Sequence, residues 1–549
     1  MKYKPEVTLT IENMKKKITY LFFLLTFNLN AQEKPNFIVV MVDDMGYSDL
    51  GCYGSEIHTP NIDKLAREGM VMNNFYNDSR CCPTRASLLT GQYQHKVGLR
   101  RNGASLNKSG ATIAEVLQQN GYHTAMVGKW HLSEANPLKD KEKHLKWLNH
   151  QYTPDTTFAA IDTYPTRRGF DKFYGVIWGV VNCYDPFSLV EGVKAVQNVP
   201  KDYYTTHAFT DKAIEYINSY KKDTKPFFMY LAYNAPHWPV QAPAVTIKKY
   251  EKTYIDGWDA LKKRRYESLL AKKIITKEDY PYTKEEKEAI KWNTLTAEEK
   301  KSFAQRMATH AAMIDEVDQG IGRLIAQLKE NNQYDNTIIF FMSDNGASPE
   351  MLNTPGYQPG YDRPSALRDG TPLQYDSPEI DKIGSSISYT TVGSGWANAL
   401  NSPYRYWKKE SYNGGAKTPF IMTGPGIKKG INYSLAHIMD IMPTCLEIAN
   451  VPYPKVYKGN QITATDGHSL VPIMKGKTVT NYDDLFFEHQ GGKALISGDY
   501  KIVALAKEKW ALYDLSNDKT ETKDIFSDNP KKANEMIVKW NEWAKKMGL

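Results

Sequence analysis

A thiol, a proline and an arginine stand close together at Cys81-Cys82-Pro83-Thr84-Arg85, inside the run CCPTRASLLTG. Proline suits the first turn of a helix, where its missing N–H is not needed, and Gly91 suits the end. The spacing thus predicts a short helix with Cys81 just ahead of its N-terminus. A helix N-terminus attracts anions, and Arg85, one turn in, adds a positively charged fork. Taken alone, the run equally suits a buried cysteine pair. Elsewhere the chain offers Asp43-Asp44, Lys129 and His131, His237 between two prolines, Asp344-Asn345 and Lys417. Three carboxylates and an amide form a hard oxygen set, suited to Ca²⁺ or Mg²⁺ rather than zinc. Cations around them would hold the oxygens of a tetrahedral anion, which points to phosphoryl or sulfuryl ester chemistry.

The elements that must position these groups are strands. NFIVVMV at 36–42 is a continuous apolar run ending in Asp43-Asp44, as a buried parallel strand ending at its carboxyl edge would read. PFFMYLAY at 226–233 leads to His237, and TIIFFM at 337–342 leads to Ser343-Asp344-Asn345-Gly346. A shorter strand at 122–127 leads into Gly128-Lys129-Trp130-His131, where alternation lets Lys129 and His131 point the same way. Gly414-Gly415-Ala416-Lys417-Thr418 precedes a further strand, PFIMTGPG. Helices are expected at 59–69, 112–120, 207–220, 301–329 and 435–450, alternating with the strands. Residues 133–205 lack periodicity and read as a variable insertion. The stretch 245–305 reads as helical and solvated, and the segment from 348 to 415 as a functional rim. Beyond about 455 come the short strands LFFEHQ, GKALIS and YKIVAL and an amphipathic helix from about 530. The expected fold is α/β, a large mixed, mostly parallel sheet sandwiched by helices, with a smaller C-terminal α+β subdomain. The expected division is a leader at 1–31, a catalytic domain at 32–455 and a subdomain at 456–549.

The 549 residues leave room for a large core, and 41% hydrophobic with 24% charged residues describes a globular protein. Five cysteines without repeated spacing exclude a disulfide scaffold and a zinc framework. The 36 tyrosines suit surfaces that stack on sugars. From Met14 the chain reads MKKKITYLFFLLTFNLNAQ, three lysines, an apolar run and a small residue. This predicts a signal peptide cleaved near Ala31, with Met1 or Met14 as the start, and a periplasmic or secreted product with no stable membrane insertion. The net charge of +8 includes five lysines and two glutamates in residues 1–31, so the remainder carries +5, compatible with an anionic substrate. No nucleic-acid motif, internal repeat or low-complexity tract occurs.

In order along the chain, NFIVVMVDDMGY, TPNIDKLAREG, CCPTRASLLTG, GKWHL, APHWP, MSDNG and GGAKTPFI resemble the motifs of the type I sulfatases. These are formylglycine-dependent, arylsulfatase-like members of the alkaline phosphatase superfamily. The resemblance covers residues 36 to 510, and Cys81-Cys82-Pro83-Thr84-Arg85 matches the family's C-x-P-[ST]-R motif. It implies an alkaline phosphatase-like fold, hydrolysis of sulfate esters, and conversion of Cys81, but not Cys82, to formylglycine by a maturation enzyme. It also implies a Ca²⁺ or Mg²⁺ ion held by Asp43, Asp44, Asp344 and Asn345, with the converted Cys81 touching it. Arg85 and Lys129 would orient the formylglycine diol, and Lys129 and Lys417 would hold sulfate oxygens. His237 would face the ester oxygen, and His131 would help collapse the intermediate. One hydroxyl of the hydrated aldehyde attacks sulfur and the other, deprotonated, expels sulfate, which a plain thiol has no means to do.

Cys82 stands where the family often has serine or threonine. His489, in Phe487-Glu488-His489-Gln490-Gly491, resembles a subdomain loop that can line the substrate pocket and equally suits a structural contact. Export, tyrosine content and long loops point to a sulfated polysaccharide or oligosaccharide as substrate. The alternatives are phosphonate or phosphate ester hydrolysis at the same kind of site, and a non-catalytic glycan-binding protein with an unconverted Cys81.

Overall fold

Strand β1, Asn36–Val42, is buried along its whole length and runs between two other apolar strands, which is why it carries no alternation of polar and apolar residues. The computed structural model describes residue 1 and residues 34–549, apart from 285, 353–358, 361–362 and 377–378. The expected signal peptide at 1–31 therefore lies outside the described residues, Met1 excepted.

The large sheet continues with β2 (Met70–Met72), β3 (His123–Lys129), β4 (Lys172–Val176), β5 (Leu189–Glu191), β6 (Lys194–Ala195), β7 (Phe227–Ala232), β8 (Thr337–Ser343), β9 (Phe420–Thr423) and β10 (Gly430–Asn432). Its ten strands are ordered β10-β2-β9-β8-β1-β7-β3-β4-β5-β6. The five central strands, β8-β1-β7-β3-β4, are all parallel, with Val39 level with Phe340 and Tyr230. Antiparallel strands extend the sheet on both flanks, at β9 beside β8 and at β5 beside β4. The architecture is thus the expected mixed, mostly parallel sheet flanked by helices. Two apolar clusters fill its two faces, one against the 34-residue helix Ala297–Glu330 and the other against helices Ile113–Gln119 and Ile441–Ile448.

Two sequence expectations need correction. Residues 133–205 are not an insertion apart from the core: β4, β5 and β6 lie within them and form one side of the sheet. The strands are two to five residues long and set among loops, too short for a periodic signal. The stretch 245–305 is not simply solvated either, since helix Trp258–Ala271 buries Trp258, Leu261, Arg265 and Leu269.

At the C-terminal end, strands β11 (Asp484–His489), β12 (Gly492–Ser497), β13 (Tyr500–Ala504) and β14 (Ala511–Asp514) form an antiparallel sheet in that order. Helix Pro530–Met547 places Met536, Trp540 and Trp543 in the interior. Among the described residues no helix is long and apolar enough to cross a membrane.

Candidate active site

The expected groups converge where the parallel strands end. β1 delivers Asp43 and Asp44, β3 ends on Lys129 two residues before His131, β7 runs into the loop of His237, and β8 runs into Asp344 and Asn345. Helix Cys81–Thr90 points its N-terminus at the same place, with all ten of its residues buried and Gly91 closing it in the left-handed region at φ 64°. Cys81 is the helix's first residue rather than the one before it, and Pro83 still falls within the first turn, where no N–H is missed.

A cavity of about 210 Å³ opens onto Cys81, and His131, His237, Asn102, Arg80, Glu350 and Lys408 stand around it. Sγ of Cys81 is 3.4 Å from Nδ1 of His131. The imidazole fits there because residue 179 is glycine: a Cβ on Gly179 would come within 2.2 Å of the ring. His131 itself holds φ at +53°, and Asp44 holds +68°, backbone strain of the kind that concentrates at functional sites. The hydrogen bond from Cys82, against the opposing effect of burial and together with Lys129 and His131, holds the Cys81 thiol well below its usual range. Cys82 differs: burial and its bond to Cys81 push it up, and its Sγ lies 2.9 Å from Asn102 Oδ1.

Beneath Cys81 lie the acids, all fully buried. Asp43 Oδ2 accepts from Lys129, and Asp344 Oδ2 accepts from Nε and Nη2 of Arg85 at 3.2 and 2.7 Å. The remaining Arg85 nitrogen donates to the Lys129 carbonyl and the Tyr230 hydroxyl. Arg85 and Lys129 therefore balance the carboxylates here. Asn345 donates its Nδ2 to Asp44 Oδ1 at 2.7 Å. Among the described residues, two buried oxygens, Asp43 Oδ1 and Asn345 Oδ1, have no hydrogen-bond partner. Burial and Asp344 together push Asp43 up to about 7, and burial also raises Asp44 and Asp344. Three desolvated carboxylates with orphaned oxygens fit a hard divalent cation, which would relieve their mutual repulsion and take up the open lone pairs. Asp43, Asp44, Asp344 and Asn345 are the residues that could hold it.

Lys417 does not join this group. Its ammonium lies over the rings of Tyr76 and Tyr404, 5.5 and 4.9 Å from their centroids, beside a different cavity toward the C-terminal sheet. The short helix Asn413–Ala416 turns the chain just before it, so a residue at the correct edge of the sheet sends its side chain the other way.

The lysine at the site is Lys408, whose Nζ reaches Asp44 Oδ2 at 2.8 Å, His237 Nε2 at 3.1 Å and Glu350 Oε2 at 3.4 Å. Although burial opposes its charge, Asp44 and Glu350 hold the ammonium protonated well above its usual range. Sequence reasoning missed Lys408 because it sits in an aperiodic aromatic loop, next to a second lysine and away from any strand end. It also missed Glu350, Asn102, Arg80 and Arg363. Nδ1 of His237 donates to the Trp238 carbonyl at 2.6 Å, which leaves Nε2 as the acceptor for Lys408. His489 is buried on β11 and does not line the Cys81 cavity.

The rim adds Trp178, Trp238 and Arg363, the guanidinium stacked 4.9 Å over the Trp238 ring. A cationic recess with aromatic walls, a low-lying thiol and a carboxylate floor is equipped for displacement at an anionic ester.

Comparison with known proteins agrees. The sulfatase family profile matches residues 35–451, and the profile of the N-sulphoglucosamine sulphohydrolase C-terminal region matches 404–545. An uncharacterized sulfatase of Schizosaccharomyces pombe is 32% identical over 570 residues, covering 96% of each chain. An arylsulfatase of Klebsiella aerogenes is 32% identical over 466 residues, 81% of this chain and 93% of its own. Among solved structures, Ps i-CgsB in complex with k-i-k-neocarrahexaose superposes with a TM-score of 0.64 at 24% identity over 93% of both chains. BT4656 in complex with its substrate D-glucosamine-2-N,6-O-disulfate gives 0.58 at 22% identity, over 94% of this chain and 98% of its own. These two likenesses show the fold. The sequence matches show that the chain belongs to the sulfatase family, as a type I sulfatase of the alkaline phosphatase superfamily and a sulfuric ester hydrolase.

Proposed function

We propose that the enzyme removes sulfate from a sulfated carbohydrate, with Cys81 acting after conversion to formylglycine and a divalent cation, Ca²⁺ or Mg²⁺, bound by Asp43, Asp44, Asp344 and Asn345. The observation that carries this reading is the position of Cys81 at a helix N-terminus, 3.4 Å from His131 and above a buried carboxylate set with two orphaned oxygens. In its hydrated form formylglycine supplies a nucleophilic oxygen and a second hydroxyl, which the parent thiol lacks. The cation supplies positive charge where oxygen charge develops.

The chain's own residues do the rest. His131 presents Nδ1 to the side chain at 81, and burial lowers its basicity and keeps the ring neutral, ready to accept a proton there. Lys408 and Arg80 offer N–H donors to the sulfate oxygens at the cavity wall. The leaving oxygen receives its proton through the Lys408 and His237 pair, in which Lys408 carries the proton and His237 Nε2 stands as its acceptor. Trp178 and Trp238 form faces on which a sugar ring can stack.

The carbohydrate assignment is supported by these aromatic walls and by the relatives that bind k-i-k-neocarrahexaose and D-glucosamine-2-N,6-O-disulfate. Export belongs to the same proposal and is supported by the lysine-rich start and apolar run from Met14. N-terminal sequencing of the mature protein tests it, with cleavage near Ala31 as the expected result.

The deciding experiment is sulfate release from a panel of sulfated oligosaccharides and an aryl sulfate, using protein co-expressed with a formylglycine-generating enzyme and a matched phosphate diester as control. Release from at least one sulfated saccharide, faster than phosphate diester cleavage, is expected. No release from any saccharide by protein with confirmed formylglycine would overturn the substrate assignment.

A further inference from the structure

The lysine that sequence motifs place at the active site lies instead in a cavity of about 330 Å³ between the large sheet's rim and the C-terminal sheet. Tyr76, Asn413, Lys417, Thr478, Tyr482 and Lys519 are among its lining residues. Lys417 is 1% exposed. Among the described residues its ammonium makes no hydrogen bond and no ion pair; its contacts are the ring faces of Tyr76 and Tyr404. Ring faces attract the charge but leave N–H donors over, open to the cavity that Lys417 lines.

The nearby charges do not cancel it. Burial, then Lys519 and Lys501, hold Lys417 well below the usual lysine range, with Glu521 alone opposing. Glu521 is already committed, its Oε1 2.6 Å from Lys501 Nζ and its Oε2 accepting from the Asn413 N–H. Asp279 pairs with Lys519 at 3.1 Å. Neither of these acids lines the cavity, and the one acid among its described lining residues, Asp499, is exposed. An oxyanion entering the cavity would restore what Lys417 lacks, an acceptor and a countercharge, and would meet Lys519, which lines the same cavity.

We propose that this cavity is a second anion site, which holds a sulfate group between Lys417 and Lys519. The reaction provides that chemistry from two sources, the sulfate ion it releases and further sulfate groups on the saccharide it cleaves. The free-ion source rests on the sulfuric ester hydrolase reaction alone and is independent of the formylglycine assignment; the saccharide source rests also on the carbohydrate reading proposed above.

The test is calorimetric titration of the full-length Cys81→Ala protein, which does not turn over, with sodium sulfate in one arm and a monosaccharide 6-sulfate in the other. Two sites per chain are expected, falling to one in Cys81→Ala/Lys417→Met. A second site seen with sodium sulfate assigns the cavity to the free ion, and one seen with the sugar sulfate alone assigns it to the saccharide. A single site in both arms, or a second site that survives Lys417→Met, overturns the proposal. Should Lys417→Met fail to fold, Lys519→Gln at the half-exposed wall serves instead: it is expected to weaken the second site by about tenfold, and unchanged affinity overturns the proposal.

Discussion

The Lys408 ammonium lies 3.1 Å from Nε2 of His237, and the far nitrogen of that ring donates to the Trp238 carbonyl. The tautomer is therefore fixed, and Nε2 faces the lysine as an acceptor. Asp44 joins the pair, its Oδ2 2.8 Å from Lys408 and 3.4 Å from His237. A protonated lysine, a neutral histidine and a carboxylate of the proposed cation site share one corner of the cavity.

Replacing Lys408 with methionine removes the charge, a sulfate-facing donor and the proton held against His237. Loss of one donor of this kind costs about 10²- to 10³-fold in kcat, and that is the expected loss for Lys408→Met with an aryl sulfate. Lys408→Arg is expected to stay impaired, because a planar fork does not reproduce a point donor packed between Asp44, His237 and Glu350. Steady-state kinetics on both variants checks this. Activity within threefold of wild type in Lys408→Met would remove the lysine from the site.

The contrast between Lys408 and Lys417 marks how far the sequence could be read. Asp43, Asp44, Asp344 and Asn345 were legible because β1 and β8 are unbroken apolar runs that stop at those residues, and parallel strands put such stops at one edge. Lys129, His131 and His237 followed the same rule. Lys417 obeyed it in position and broke it in direction, since the turn at Asn413–Ala416 sets the side chain toward the C-terminal sheet. Lys408, Glu350 and Arg363 lie in loops whose course depends on tertiary packing, with no period to mark them. β4 was illegible for a related reason: KFYGV is only five residues, and its membership of the sheet is a matter of pairing with β3.

Cys81 and Cys82 are neighbours with opposite surroundings, and conversion is expected at Cys81 alone. Peptide mass spectrometry of protein co-expressed with a maturation enzyme should find residue 81 lighter by two hydrogens and a sulfur and heavier by one oxygen, with Cys82 still alkylatable after denaturation. Cys82→Ser should retain conversion and most activity, whereas Cys81→Ala should have none. Conversion at residue 82 would reverse the assignment.

The carboxylates beneath Cys81 are expected to couple cation binding to stability. A ligand present at 100 times its dissociation constant stabilises the folded state by about 2.7 kcal/mol. Differential scanning calorimetry should therefore show a melting temperature that rises with Ca²⁺ in chelator-treated protein. In Asp344→Asn the rise should shrink or vanish, since a carboxylate is lost from the set and Arg85 loses its partner. An identical rise in wild type and variant would place the cation elsewhere.

Trp238 would offer the proposed sugar a stacking face and carries Arg363 on it. Trp238→Ala removes a contact of about 0.5–1.5 kcal/mol, so KM for a sulfated saccharide is expected to rise by roughly threefold to tenfold, with kcat less affected. Trp238→Phe should recover most of the loss. A fall in kcat with unchanged KM would instead point to disturbance of His237, which leans on the Trp238 carbonyl.

Away from the chemistry, Asp49, Arg265 and His310 come from three distant segments and meet in the core. Asp49 Oδ1 is 2.6 Å from Arg265 Nη1, and Oδ2 is 3.1 Å from His310 Nε2 and 2.8 Å from the Gly46 N–H, with both partners of the Arg265 pair buried. Arg265 also grips Glu56 through Nε and Nη2. Burial would raise the Asp49 carboxyl, and Arg265 and His310 outweigh it and hold it below its usual 3.8. A carboxylate depressed in the folded state contributes stability that is present above the unfolded value and lost as pH falls through the folded one. Arg265→Met strands that charge, and breaking one side of a buried pair costs about 3–5 kcal/mol. Chemical denaturation at pH 7 should show a loss of that size, narrowing as pH falls: without Arg265 the buried Asp49 carboxyl shifts upward, so it becomes neutral in the variant, and ceases to penalise it, at a higher pH than in the wild type. Asp49→Asn/Arg265→Met should recover part of the loss at pH 7. A penalty for Arg265→Met that is flat with pH, and that the double variant leaves unchanged, would assign the effect to lost packing of the arginine stem rather than to the stranded charge.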